Sequence, residues 1–251
     1  MPQQSNSPNL LLSSLGEDDF ELLRARLRPV ELRQEVVLYG AGDIIDHVYF
    51  PNTGVVSLVV GLASGDMIET GMVGRDSLVG GSSALDGKVS LNTAIVQIAG
   101  SGSSLKLEHL RDAADASITF RTTLIRHEQM ILVQAQQSAA CNASHTVETR
   151  LARWLLRSRD LMGGDDLALT QEFLSQMLGV RRTSVSVVAN TFQQAGFIRY
   201  SRGHIRILNL EGLRETACEC YQTVKAQAER LLAPHRDIPP PKSIAAMSGS
   251  L

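Results

Sequence analysis

Leu169-Thr170-Gln171-Glu172-Phe173-Leu174-Ser175-Gln176-Met177-Leu178-Gly179-Val180-Arg181-Arg182-Thr183-Ser184-Val185-Ser186-Val187-Val188 is the stretch on which the fold turns. Thr170 is a good helix N-cap, and Glu172 puts an acid in the first turn. Leu174 and Leu178 share one face at i, i+4, and Ser175 is small enough there for a second helix to cross closely. Gly179 supplies the left-handed residue that ends the helix. Val180, Val185 and Val188 return apolar groups to the same small core. Helix, tight glycine turn and helix make the helix-turn-helix pattern.

The second helix opens with Arg181 and Arg182, followed by Thr183, Ser184 and Ser186. These are the N-terminal positions at which a recognition helix meets base edges. Arginine bonds guanine bidentately, and Thr or Ser bonds phosphate or base. Beyond Gly196-Phe197 the runs 198–200 and 205–208 flank Ser201-Arg202-Gly203-His204, a hairpin with a basic tip. The candidate DNA contacts are Thr170, Gln171, Arg181, Arg182, Thr183, Ser184, Ser186, Arg202 and His204. A helical pair that merely packs is the plainer alternative. It does not explain why Arg, Thr and Ser gather on one edge.

Charge supports the DNA reading once it is resolved along the chain. The 251 residues sum to −2, which on its face argues against a nucleic-acid binder. By segment, residues 1–144 carry −6, residues 145–210 carry +4 and the remainder is neutral. An acidic first half and a basic island suggest a modular protein with one anionic partner. No apolar run approaches the roughly 18 residues of a membrane span. Met1 to Asn6 lack the features of a signal peptide. Only three cysteines occur, Cys141, Cys218 and Cys220, which fits a reducing cytoplasm.

Upstream, Leu10–Leu27 has helical spacing and is closed by Pro29. From Glu35 to Leu107, short β-branched runs (36–39, 48–50, 55–60, 67–73, 93–98, 105–107) alternate with glycine turns, including one read at Gly100-Ser101-Gly102. Such texture predicts an antiparallel β-barrel or jelly roll. No Gly or Pro falls between Ser103 and Met162. There, Phe120, Leu124, His127, Ile131, Gln134 and Ser138 form one helical row, and Ile118, Ile125, Leu132 and Ala139 a second beside it. One row would face the chain's own sheets and the other a second copy. Val147–Met162 and Glu211–Leu232 read as two further helices. The expected class is α+β. Its parts are a disordered start (1–9), a sensory β-barrel (10–117), a dimerisation helix with hinge (118–145), a winged helix-turn-helix with C-terminal helix (146–232) and a disordered tail (233–251).

This order resembles the Crp/Fnr superfamily of bacterial transcription regulators over roughly residues 10–230. Its most specific parts are the winged motif and Ala140–Leu156, which is similar to the hinge and following helix of one proteobacterial branch. The resemblance implies no enzyme activity. It implies a cytoplasmic homodimer on a near-palindromic duplex, with RNA polymerase as a further partner and no membrane. The chain departs from the family at two places. Relatives that read DNA like the founding member place Glu and a second Arg after the first recognition arginine. If Arg182 is that arginine, Thr183 and Val187 stand there, so the operator differs. Cyclic-nucleotide binders carry Gly-Glu and then Arg-Ser or Arg-Thr around the pocket. Here Glu69, Gly71, Gly74 and Arg75 lie in the first stretch and Asn92 and Thr93 in the second, with no arginine in the latter. These six are the candidate effector pocket. Weak or no cyclic AMP binding is expected, because the phosphate loses its strongest charge-assisted contact. The effector is unknown.

No cofactor, metal or catalytic residue is expected. Near the N-terminus there is no cysteine cluster for an iron–sulfur centre. Cys218-Glu219-Cys220 has no matching Cys or His pair in sequence. On one helix its thiols would point about 200° apart, so ordinary half-buried cysteines are expected. Two alternatives compete with a regulator. A cupin-like metal enzyme would need ligands converging inside a barrel whose one histidine is His47. A protein-binding adaptor would show no DNA shift and no salt dependence.

Overall fold

The computed structural model describes residues 7–85 and 89–232. The expected disordered tail and residues 1–6 of the expected disordered start lie outside them. Residues 7–9 do not: Asn9 is fully buried and caps α1 (Leu10–Ser13) by accepting from Leu12 N at 3.0 Å. Its amide donates to Pro51 O at 2.7 Å and Ser77 O at 3.0 Å, which fastens the chain start to the sheets. Asn9→Ala removes a cap and strands two buried carbonyls, so urea unfolding should show a loss of about 2 kcal/mol.

Helix α2 (Glu17–Arg24) leads into two antiparallel sheets. One has the order β1-β7-β3 (Arg28–Leu32, Gly100–Lys106, His47–Pro51) and the other β2-β6-β4-β5 (Val37–Tyr39, Thr93–Ile98, Val55–Gly61, Met67–Val73). Leu32, Tyr39, Val56, Leu58, Val73 and Val96 interdigitate between them, a jelly-roll-like sandwich. Pro29 does not close a helix as expected; it sits on β1, an edge strand that tolerates a missing donor.

The glycine-serine stretch 100–104 is strand, not turn. A Cβ on Gly102 would come within 2.5 Å of Phe50 O, and one on Gly100 within 2.3 Å of Thr53 O. Glycine is there to let two backbones approach, which composition alone misreads as punctuation.

Helix α3 (Leu107–Ala116) joins α1 and α2 on the outer face of the first sheet, around Phe50, Leu105 and Leu110. Helix α4 (Ile118–Ser144) follows, a 27-residue helix that packs on β5, α3 and the helix Cys220–Leu232. Its first row, Phe120, Leu124, His127, Gln134 and Ser138, is buried within the chain, with Ile131 partly so. Its second row, Ile118, Ile125, Leu132 and Ala139, is exposed. The Gln134 amide pairs with β5 as another strand would: Oε1 accepts from Met72 N at 2.7 Å and Nε2 donates to Met72 O at 3.2 Å. Gly71 has no side chain to block that approach.

Helix α5 (Val147–Met162) is capped by Thr146 and ends on left-handed Gly163. After β8 (Asp166–Ala168) come α6 (Gln171–Leu178), α7 (Arg182–Gln194), β9 (Ile198–Ser201) and β10 (His204–Ile207), then α8 (Leu210–Thr216) and α9 (Cys220–Leu232). The helix expected over 211–232 is thus two helices, broken around Cys218 although nothing there is a helix breaker. The C-terminal part packs against the sheets. The second sheet's outer face (Val55, Val59, Met72, Ile98) shares one core with Leu151, Leu155, Leu174 and Phe192. Strand β4 is covered on both sides, which is why its sequence is nearly continuous valine and leucine.

Candidate nucleic-acid interface

Thr170 Oγ1 accepts from Phe173 N at 3.2 Å and caps α6 as its sequence predicts. Gly179, at φ +59°, closes the helix, and Val180 N donates to Ser175 O at 3.0 Å across the turn. The buried Arg150 guanidinium on α5 donates to Leu178 O, another of the carbonyls left free at that end. Buried Val185, Ala189 and Phe192 fix the inner face of α7. Arg181 is the N-cap of α7 rather than part of its first turn.

The exposed edge carries the expected side chains. Arg181, Arg182 and Thr183 are exposed at the N-terminal end of α7, and Ser184 and Ser186 are half-buried. Ser186 Oγ donates to Gln171 Oε1 at 2.6 Å, binding the two helices of the motif to each other. Arg182 lies 3.6 Å from Glu172, an exposed pair of small worth that a phosphate can displace. Arg181 and Arg202 make no ion pair with any described residue. Each is an uncompensated cation at the surface.

The wing is the sheet β8-β10-β9. Its tip places Arg202 at φ +48° and Gly203 at φ +79°, the two left-handed residues of a tight hairpin turn. A Cβ on Gly203 would sit 3.5 Å from the Thr170 methyl, so the wing tip lies beside the start of α6. Thr170, Gln171, Ser186 and the tip bearing Arg202 and His204 therefore converge. Arg181 and Arg182 line, with Glu172, one wall of a cleft of 580 Å³ whose other wall includes Asp66 of the β4–β5 turn and Ile68 of β5.

Val187, which the sequence marks only as a departure from the family pattern and not as a DNA contact, is 67 % exposed on α7. Helical spacing puts it in one stripe with Thr183 and Asn190. An outward valine on a recognition helix suits the methyl of thymine.

The six expected effector residues do not come together. Only Asn92 lines the cavity of 160 Å³ between the sheets and α4, beside Tyr39, Leu58, His127 and Ile131. Thr93 Oγ1 accepts from Ala41 N at 3.1 Å. Gly71 admits Gln134, and Gly74 and Arg75 lie against α5 and its C-cap Gly163. Glu69 is buried in the joint to α5, bonded by Ser57 Oγ and, at 3.0 Å, by Trp154 Nε1. Burial pushes its carboxyl up to about 7; the Ser57 and Trp154 bonds and the charges of Arg153 and Arg157 oppose this. His47 is on β3, paired with Asp46 at 3.0 Å. Among the described residues, the one group able to hold a metal lies outside the sheets, which gives no support to a cupin-like centre.

A winged helix-turn-helix packed against a two-sheet sandwich and a long helix is the architecture of a DNA-binding regulator. Residues 149–216 match the Crp-like helix-turn-helix domain family. The resemblance to the Crp/Fnr superfamily thus holds by sequence in the reader domain and by fold over three quarters of the chain. FixK2 from Bradyrhizobium japonicum superposes with a TM-score of 0.66 at 20 % identity, covering 76 % of this chain and 98 % of its own. A CRP-family transcriptional regulator from Thermus thermophilus gives 0.62 at 19 %, covering 75 % and 96 %. The c-di-GMP responsive global regulator CLP of Xanthomonas campestris gives 0.60 at 15 %, covering 76 % and 99 %. No curated protein matches the sequence. No described helix is long and apolar enough to cross a membrane.

Proposed function

We propose that the chain is a cytoplasmic, homodimeric transcription regulator without enzymatic activity that binds a near-palindromic DNA duplex. The observation that carries this reading is the exposed edge of Arg181, Arg182, Thr183 and Val187 beside a wing tipped by Arg202. Arg182, Thr183 and Val187 read bases, whereas Arg181, Thr170, Gln171, Arg202 and His204 hold phosphate and Ser184 and Ser186 support both. A second copy covers the exposed row Ile118, Ile125, Leu132 and Ala139, whose sevenfold spacing is that of a helix seam. Two readers then meet half-sites about 34 Å apart, and RNA polymerase is the partner whose access the bound dimer alters. The sensor cavity is lined by Tyr39, Leu58 and Ile131 together with His127 and Glu128, and has no Lys or Arg among the described residues, a carboxylate-bearing lining that does not suit the phosphate of a cyclic nucleotide.

Selection of bound fragments from genomic DNA should return an inverted repeat with half-sites one turn apart. The double variant Ile125→Glu/Leu132→Glu should sediment as a monomer and lose at least tenfold in affinity for that repeat. A monomeric wild type, or recovery of no common sequence, would overturn the proposal.

A further inference from the structure

We propose that Cys141, His145, Cys218 and Cys220 bind one zinc ion that staples the C-terminal helix to the end of α4. This reading is independent of DNA binding. Cys141 is on the last turns of α4 and His145, its C-cap, lies four residues on, so both project from one face. The break between α8 and α9 releases Cys218 from the helix and turns its thiol toward Cys220's. That overturns the opposed orientation expected from sequence. All four donor atoms lie within 4.8 Å of one another.

The separations match a metal polyhedron. Cys141 Sγ to Cys218 Sγ is 3.6 Å, and Cys220 Sγ to His145 Nδ1 is 3.5 Å. A tetrahedral zinc with its usual bond lengths requires edges of about 3.8 Å between sulfurs and about 3.6 Å between sulfur and nitrogen. The three thiols are free and buried, and they form a cluster of their own.

The surroundings suit the same ion. His145 Nε2 faces Glu219 Oε1 at 3.3 Å, the carboxylate–histidine arrangement that leaves Nδ1 to the metal. Gln137 Nε2 donates to Cys220 Sγ at 3.0 Å, a bond that strengthens when the sulfur is a thiolate. His145 is 23 % exposed, which gives the ion a way in. Four protein ligands close the coordination sphere, so the role is structural. On binding, three S–H bonds break, three Zn–S bonds and one Zn–N bond form, and three protons pass to water.

Full-length protein purified under reducing conditions should contain close to one zinc per chain. Cobalt(II) exchanged into it should give the visible bands of a tetrahedral thiolate site. Glu219→Gln, outside the coordination sphere, should weaken zinc affinity roughly 10- to 100-fold with unchanged circular dichroism. His145→Cys should keep the metal, and Cys218→Ala should lose it. Should Cys218→Ala fail to fold, the Glu219 variant and the cobalt spectrum still decide. Three titratable thiols without metal, a Cys141–Cys218 disulfide without metal, or iron with sulfide in place of zinc would each overturn the proposal.

Discussion

Replacing Arg181 and Arg182 together by alanine should weaken binding of the selected duplex by about 2–6 kcal/mol, roughly 30- to 10⁴-fold, because each contact costs about 1–3 kcal/mol. Both side chains are exposed, so thermal stability should hardly change. The single variants should differ in kind. Arg181 caps α7, where the helix dipole already favours an anion. Arg181→Ala should therefore weaken all sequences alike and lower the salt slope by about 0.9. Arg182 is the first residue inside the helix, held only by an exposed 3.6 Å contact with Glu172. Arg182→Ala should relax the preference at one base pair, seen as a flattened position in competition titrations. Undiminished specific binding by the double variant in anisotropy at fixed salt would remove the argument for this face.

The helix-turn-helix was legible because each of its requirements is local. Thr170 caps, Gly179 turns, and Leu174, Leu178 and Val185 fall at fixed spacing, so neighbours in sequence decide the conformation. The two rows of α4 were legible for the same reason. What could not be read depended on distant partners. Gly100 and Gly102 are strand residues because Phe50 and Thr53 cross them, and no window of sequence contains both. The α8–α9 break lies where Cys218 meets Cys141, 77 residues away. The surroundings of the expected effector residues also depend on distant partners. Glu69, Gly71 and Gly74 sit on β5 or just past its end, where they contact α4 and α5. Segmental charge suggested a modular protein but carried no information on how its parts pack. The second sheet and the helix-turn-helix share apolar residues, and burial outweighs the screened repulsion or attraction of surface charges.

That shared core contains one titratable group whose neutralisation should be felt by the whole molecule. Glu69 lies between β4 and α5, held by Ser57 Oγ and Trp154 Nε1, with Asp160, Tyr221 and Lys225 lining the same recess. Desolvation raises its carboxyl from 4.5 to about 7, against the Ser57 and Trp154 bonds and the charges of Arg153 and Arg157. The folded state therefore holds this proton more tightly than the unfolded chain. Its contribution is fully present below about pH 4.5 and is lost as pH rises through about 7. Above that range the ionised carboxylate costs the packed arrangement on the order of 3 kcal/mol. Glu69→Gln keeps both hydrogen bonds, with its carbonyl accepting from Trp154 and its amide donating to Ser57, and carries no charge. The variant should match wild type near pH 4.5, lose the decline between there and pH 7, and be the more stable protein at pH 8. The chain's one tryptophan, buried against this carboxylate, is the reporter. Urea unfolding followed by its fluorescence at pH 5, 6, 7 and 8 measures the difference. Parallel stability profiles for variant and wild type would show that Glu69 is ionised in the packed joint at every pH, held by Arg153 and Arg157. In that case ion pairing, rather than a shared proton and apolar burial, would hold sensor and reader together.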